Sequence, residues 1–244
     1  MKIKATISYD GTSFCGWQKQ PGKRSVQKEI ENALLVLFDQ KIEVNASGRT
    51  DAGVHALGQV ISFDAPDQVS PNNLYRNLNA HLPEDIRVLK TEKADDDFDA
   101  RFSAKTKTYV YKFYLSRYEH PLKRGREWRI NDNINVDLMI KNLPCLVGEH
   151  DFSSFVSKKS GKTNFVRKVT SAKINKISDF EYELEISANG FLYNMVRIIM
   201  GTLVDIGAGR GGVSKMQEIL EAKNRARAGK TAPPYALYLK SVVY

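Results

Sequence analysis

The order of strand and helix signals over residues 3–89 constrains this chain more than any other feature. Ile3, Ala5, Ile7 and Tyr9 alternate with polar residues, giving one buried face of a strand that Asp10-Gly11 ends. After a loop bearing Gly and Pro, Ser25 is placed to cap a helix in which Val26, Ile30, Ala33, Leu34, Leu37 and Phe38 recur at helical spacing. Short strands are expected around Ile42 to Val44 and Val60 to Phe63. Ser70-Pro71, a cap followed by a first-turn proline, opens a second helix through Leu74 and Leu78, and Ile86 to Leu89 reads as a closing strand. The order β-α-β-β-α-β is the split β-α-β pattern of ferredoxin-like domains, an antiparallel sheet with both helices on one face and the other face open. An open sheet face can hold RNA.

The acidic run Asp95 to Asp99 suits a connector, and a domain boundary is expected near residue 105. Beyond it Tyr109, Tyr111, Phe113 and Leu115 alternate in a β-prone segment, as do Tyr182, Leu184, Ile186 and Ala188. Leu192, Met195, Val196, Ile199 and Leu203 mark a helix. Ser214 with Gln217 forms a capping-box pattern before Met216, Ile219 and Leu220, and a last strand is expected near Leu237 to Val243. The sequence thus predicts an α+β protein with domains at 1–105 and 106–244, a division that 244 residues accommodate.

Hydrophobic residues at 42% and charged residues at 27% fit a folded chain and argue against a mainly disordered one. The longest apolar stretch, Phe191 to Ile206, is interrupted by Asn194, Arg197 and Asp205, so no membrane span is expected. Met1-Lys2-Ile3-Lys4-Ala5 lacks the continuous apolar segment of a secretory signal, which points to a cytoplasmic protein. Cys15 and Cys145 are too few for a disulfide framework or a zinc cage, and no disulfide-linked partner is expected.

Charge is unevenly placed. Residues 1–105 hold 14 basic and 15 acidic groups, a net of −1, whereas residues 106–244 hold 23 and 13, a net of +10. The second half alone can carry a positive field over one face, which favours a polyanionic partner over simple solubility only when a sharper feature agrees.

Fixed spacings exclude several chemistries. A phosphate loop needs a glycine five residues before its Gly-Lys-Thr, but Gly161-Lys162-Thr163 has Val156 there and Gly229-Lys230-Thr231 has Asn224. His55, His81, His120 and His150 are isolated from one another and from either cysteine, so no local metal-ligand cluster is apparent. The segment Gly48-Arg49-Thr50-Asp51-Ala52-Gly53-Val54-His55-Ala56 differs, joining a charged triplet to small residues immediately before a strand. Its backbone can approach a ligand closely, Asp51 can supply a nucleophile or an acid/base group, and Arg49 can bind phosphate or keep the carboxylate ionised. Chemistry alone favours the plainer reading, an Asx-type turn with a solvent ion pair, because Gly, Thr and Asp are ordinary loop residues.

Gly48 to Ala56 resembles the catalytic segment of the TruA family of transfer-RNA pseudouridine synthases. The likeness extends to Tyr9-Asp10-Gly11-Thr12 with Gly16-Trp17-Gln18, Ser25-Val26-Gln27, Ala100-Arg101-Phe102-Ser103-Ala104 ahead of Tyr109 and Tyr111, Met195-Val196-Arg197, and Leu237-Tyr238-Leu239, in one order along nearly the whole chain. The resemblance implies two ferredoxin-like, RNA-recognition-like α/β sandwich domains with largely antiparallel sheets and a basic cleft between them. It also implies isomerisation of uridine to pseudouridine at positions 38, 39 and 40 of the tRNA anticodon stem-loop, without a cofactor or metal, by a homodimer.

On the same resemblance Asp51 is the catalytic aspartate, Arg197 its basic partner and Tyr109 the active-site tyrosine that stacks on uracil. Leu237 matches the apolar residue packed against the target base, and Arg49 the arginine that assists eversion of the nucleotide, while Arg101 and His55 fall among the substrate-binding residues. Lys158, Lys159, Lys162, Arg167 and Lys168 are expected to contact phosphates. Ala236 stands where the family commonly has glycine, which bears on the placement of Leu237. Two rivals follow from the same residues. A noncatalytic RNA-binding or folding module would leave the Arg-Thr-Asp loop without a task, and a glycosidase or nucleoside hydrolase would usually need a second carboxylate.

Overall fold

Strand β1 (Lys2–Tyr9) buries Ile3, Ala5, Ile7 and Tyr9 on one side, the period of two expected of a half-buried strand. The computed structural model describes residues 1–67, 69–157, 164–210, 212 and 215–244. In it β1 lies between two antiparallel neighbours, β3 (His55–Asp64) and β4 (Ile86–Lys93), so that Ile3 faces Phe63 on one side and Lys93 on the other. Helix α1 (Val26–Phe38) follows β1, and helix α2 (Leu74–His81) precedes β4 and packs on α1. With β2 (Asn45–Ala46) on β3, the order β-α-β-β-α-β read from the sequence is the observed one.

Ser25 caps α1 as expected, its Oγ accepting the Lys28 N–H at 3.4 Å, and Val26, Ile30, Ala33 and Leu34 form the buried stripe. Two details differ from the sequence reading. Ile42 and Val44 are buried, but the segment is no strand, because α1 side chains take the backbone of Val44: Gln27 Nε2 donates to its carbonyl at 3.3 Å and Glu31 Oε1 accepts its N–H at 3.2 Å. The second helix starts at Leu74, after a 3₁₀ turn over Pro71–Asn73, and Ser70 makes no capping side-chain bond.

The chain divides into two compact units, Met1–Lys105 with Tyr238–Tyr244, and Thr106–Leu237. The last seven residues therefore join the first unit, although chain order groups them with residues 106–244. The cause is strand β10 (Leu237–Val243), which pairs in parallel with β3, Tyr238 beside His55 and Leu239 beside Ala56. The Lys105 N–H closes the return by donating to the Val243 carbonyl at 2.8 Å, and the Tyr244 hydroxyl donates to the Ala100 carbonyl at 2.8 Å.

The second unit is built on a sheet in the order β5 (Thr106–Leu115), β9 (Glu181–Ala188), β8 (Val166–Lys176) and β7 (Gly148–Asp151), antiparallel throughout, with the short β6 (Trp128–Ile130) parallel to β5. Tyr109, Tyr111 and Phe113 sit opposite Ile186, Leu184 and Tyr182, and these paired residues share one face of the sheet. Among the described residues three α-helices complete the unit: α3 (Val136–Lys141), α4 (Met195–Gly207) and α5 (Lys215–Glu221). The apolar stretch of the sequence is α4, buried almost all round, and among the described residues no helix is long and apolar enough to cross a membrane. Ser214 of the expected capping box lies outside the described residues.

Candidate active site

The Arg-Thr-Asp triplet occupies the loop between β2 and β3, and exposure alternates along it: Arg49 is exposed, Thr50 buried and Asp51 half-buried. The backbone is held from beneath at several points. Gln59 Nε2 donates to the Gly48 carbonyl at 2.7 Å, the Trp17 N–H donates to the Thr50 carbonyl at 3.0 Å, and the Val54 N–H turns back to the Asp51 carbonyl at 3.1 Å. The Tyr9 and Thr50 hydroxyls lie 2.8 Å apart in a buried bond. Burial pushes the Tyr9 phenol up to about 12, so it stays protonated under ordinary conditions.

Two glycines let this loop approach the chain segment that follows β1. A Cβ on Gly11 would lie 2.0 Å from the Val54 carbonyl oxygen, and one on Gly16, whose φ is +107°, would lie 2.7 Å from that of Thr50. Hence the blocks Tyr9-Asp10-Gly11-Thr12 and Gly16-Trp17-Gln18 act together: they form the bed of the Asp51 loop. His55 belongs to that bed as well. It is 2% exposed, its Nδ1 accepts the Gly11 N–H at 3.0 Å and lies 3.0 Å from Asp10 Oδ1, and its ring stacks on Tyr238 with centroids 4.7 Å apart.

Arg101 sits on a turn in the same unit. Asp99 Oδ1 accepts the N–H groups of Arg101 and Phe102 at 2.7 and 2.9 Å, and Ala100 is buried with its N–H on Ser62 Oγ. Arg101 and Phe102 are left exposed, the guanidinium 5.2 Å from the ring centroid.

Three further expected residues belong to the second unit. Tyr109 on β5 is buried and meets Phe191 edge-on at 4.9 Å. Arg197 stands in the first turn of α4 and is gripped by backbone and cap: Nε donates to the Ala232 carbonyl at 2.8 Å and Nη1 to Asn194 Oδ1 at 2.7 Å. Asn194 holds the left-handed conformation, φ 62°, at the head of α4, and its own Nδ2 donates to Ser157 Oγ at 2.8 Å. Leu237 is buried where the Pro234–Ala236 turn passes into β10. Ala236 in place of glycine is accommodated, since it too is buried and closes that turn.

Of the expected phosphate contacts, Arg167 and Lys168 lie on β8, Arg167 with its Nη1 turned to the Asn164 carbonyl, whereas Lys158, Lys159 and Lys162 lie outside the described residues. Gly229-Lys230-Thr231, excluded as a phosphate loop, has a packing task. The Gly229 N–H donates to Thr202 Oγ1 at 2.9 Å and the Ala232 N–H to the Arg197 carbonyl at 3.0 Å, so this strip lies along α4 and fixes the arginine. Sequence reasoning missed this strip and the Tyr9–Thr50–Gln59 bed, since neither contact has local spacing.

The family model for tRNA pseudouridine synthase matches residues 5–103 and 145–244. The chain is 46% identical over 246 residues to tRNA pseudouridine synthase A of Bacillus subtilis (strain 168), covering 100% of this chain and 99% of that protein. It is 44% identical to the protein of the same name from Bacillus pumilus (strain SAFR-032), with the same coverage, and 44% identical to that of Neorickettsia sennetsu (strain ATCC VR-367 / Miyayama), with 100% of both chains covered.

Proposed function

The chain belongs to the tRNA pseudouridine synthase family and is an isomerase acting on tRNA, and on that premise we propose that Asp51 is its catalytic carboxylate and the anticodon stem-loop its target. The reaction breaks the bond from ribose C1′ to uracil N1, turns the base and joins C1′ to C5. The proton lost from C5 is matched by one gained at N1, so the nucleotide keeps its composition and no redox partner enters. An aspartate can act on ribose or base as nucleophile, or remove a ribose proton, and every one of these routes needs it ionised.

The observation that carries the reading is the half-buried Asp51 on a loop pinned from beneath, inside the segment that the family model matches. A rigid bed delivers the carboxylate at one geometry, which is how positioning lowers a barrier. The remaining roles rest on the motif resemblance. Arg197 keeps the carboxylate charged and oriented, Tyr109 stacks on uracil and aids positioning, and Leu237 packs against the base. Arg49, exposed beside Asp51, assists eversion of the nucleotide, which costs a few kcal/mol of unstacking. Arg101 contacts the RNA backbone from its turn, and His55 acts on the substrate through the loop that it props. The targets are uridines 38, 39 and 40, everted from the stem, and the working form is a cytoplasmic homodimer. Purified Asp51→Asn tests the reading: it should bind tRNA as the wild type does and form no pseudouridine, and full residual activity removes the carboxylate from the mechanism. Free uracil or an abasic product would point to a hydrolase instead.

A further inference from the structure

We infer that Tyr9 is a positioning residue for the isomerisation: its hydroxyl, 2.8 Å from Thr50 Oγ1, holds the backbone from which Asp51 is presented. The inference rests on the reading of Asp51 as the catalytic carboxylate. Tyr9 is the last residue of β1 and its hydroxyl lies beneath the loop rather than at the surface. The polar groups around it form one buried set. Thr50 is 6% exposed, Gln59 and Ser47 are fully buried, Ser47 Oγ donates to Gln59 Oε1 at 2.5 Å, and Gln59 passes the chain on to the Gly48 carbonyl.

Such a set is an expensive way to fill space. Burying hydroxyls and an amide costs free energy that hydrogen bonds recover only when every member is satisfied, and apolar residues of similar shape would serve packing alone. What the network adds is a fixed position for Gly48 and Thr50, the residues on either side of Arg49. With Thr50 drawn inward, its chain neighbours Arg49 and Asp51 are the exposed and half-buried members of the triplet. Removing the Tyr9 hydroxyl frees the Thr50 side chain while the Trp17 N–H still holds the Thr50 carbonyl, so the loop should loosen without collapsing.

The experiment compares Tyr9→Phe, Thr50→Val, Thr50→Ser and the Tyr9→Phe/Thr50→Val double variant as full-length protein, well below the lowest melting temperature. It reads single-turnover rates on tRNA and tRNA dissociation constants. Tyr9→Phe and Thr50→Val should each slow the chemical step by about 10-fold to 100-fold, the scale of a small misplacement of a reacting group, with tRNA affinity unchanged. The double variant should be no slower than the slower single, because both remove the same bond. Thr50→Ser, which keeps the hydroxyl, should recover most of the rate. A wild-type rate in Tyr9→Phe, additive losses in the double variant, or a Thr50→Ser as slow as Thr50→Val would each overturn the inference. Should Tyr9→Phe fail to fold, the Thr50→Val and Thr50→Ser pair decides it. Asp51→Asn separates the two readings: if it is inactive while Tyr9→Phe is wild type, only the positioning role falls, and if it is active, the reading of Asp51 falls.

Discussion

The two units hold their assigned catalytic side chains by different means. In the first, Asp51 rides a loop whose bed is made of side chains, the Tyr9, Thr50, Gln59 and Ser47 groups, with glycines where the chain passes close. In the second, Arg197 is gripped by one main-chain group, the Ala232 carbonyl, and by the side-chain oxygen of Asn194, at the head of a helix buried almost all round. A bed of hydroxyls can be tuned by deleting single atoms. The main-chain half of the Arg197 grip can be altered only by moving the strip that supplies it, whereas the other half can be changed at the Asn194 side chain.

The sharpest way to break this contrast is at the strip. Gly201 of α4 faces the Lys230 carbonyl, and a Cβ there would lie 1.8 Å from that oxygen. On an open helix, glycine to alanine would stabilise by about 1 kcal/mol. Here Gly201→Ala is expected to destabilise by about 3 kcal/mol or more, because backbone must shift, and urea unfolding of the variant measures the sign. Next comes Gly16→Ala, which adds both the contact with Thr50 and a strained φ of +107°. Backbone strain of about 1–3 kcal/mol and a displaced loop should lower the single-turnover rate by about 100-fold, with secondary structure retained by circular dichroism.

Arg197→Lys keeps the charge but loses the fork that bonds Ala232 and Asn194 together. A rate loss of about 10-fold is expected with the salt dependence of tRNA binding unchanged, since that slope counts charges. Arg197→Gln removes that charge, and a shallower salt slope in it with an unchanged single-turnover rate would recast Arg197 as a phosphate contact. The smallest effect is in alkaline stability. The Tyr9 phenol is raised in the folded protein to about 12 by burial, against about 10 for an ordinary tyrosine. Its neutral form therefore contributes stability that is complete below the unfolded value and is lost as pH rises through the folded one. Burial raises Tyr111 as well, so Tyr9→Phe should make the alkaline decline of the urea midpoint shallower without abolishing it.

Legibility in the sequence followed the range of the interactions. The first unit was readable because β1 alternates cleanly and α1 carries its cap and its stripe within fourteen residues, Ser25 to Phe38. Strand β8 gave no comparable signal, since Val169 is its only buried residue and the rest reads as charged surface. The return of β10 to β3 was invisible for another reason: residues 55 and 238 meet by topology, and nothing in Leu237 to Val243 names its partner. At the site, Asp51 stood out through the motif, whereas chemistry alone favoured reading the same loop as a turn. Tyr9 registered as the fourth apolar beat of a strand and as the head of a motif block with no role of its own, because a hydroxyl meeting Thr50 across 41 positions has no spacing to be read.

Base-resolution mapping of pseudouridine in tRNA treated side by side with wild-type protein and Asp51→Asn tests the central claim most directly. The account predicts new pseudouridine within positions 38 to 40 for the wild type and none for the variant. The same sites modified by both proteins would contradict it.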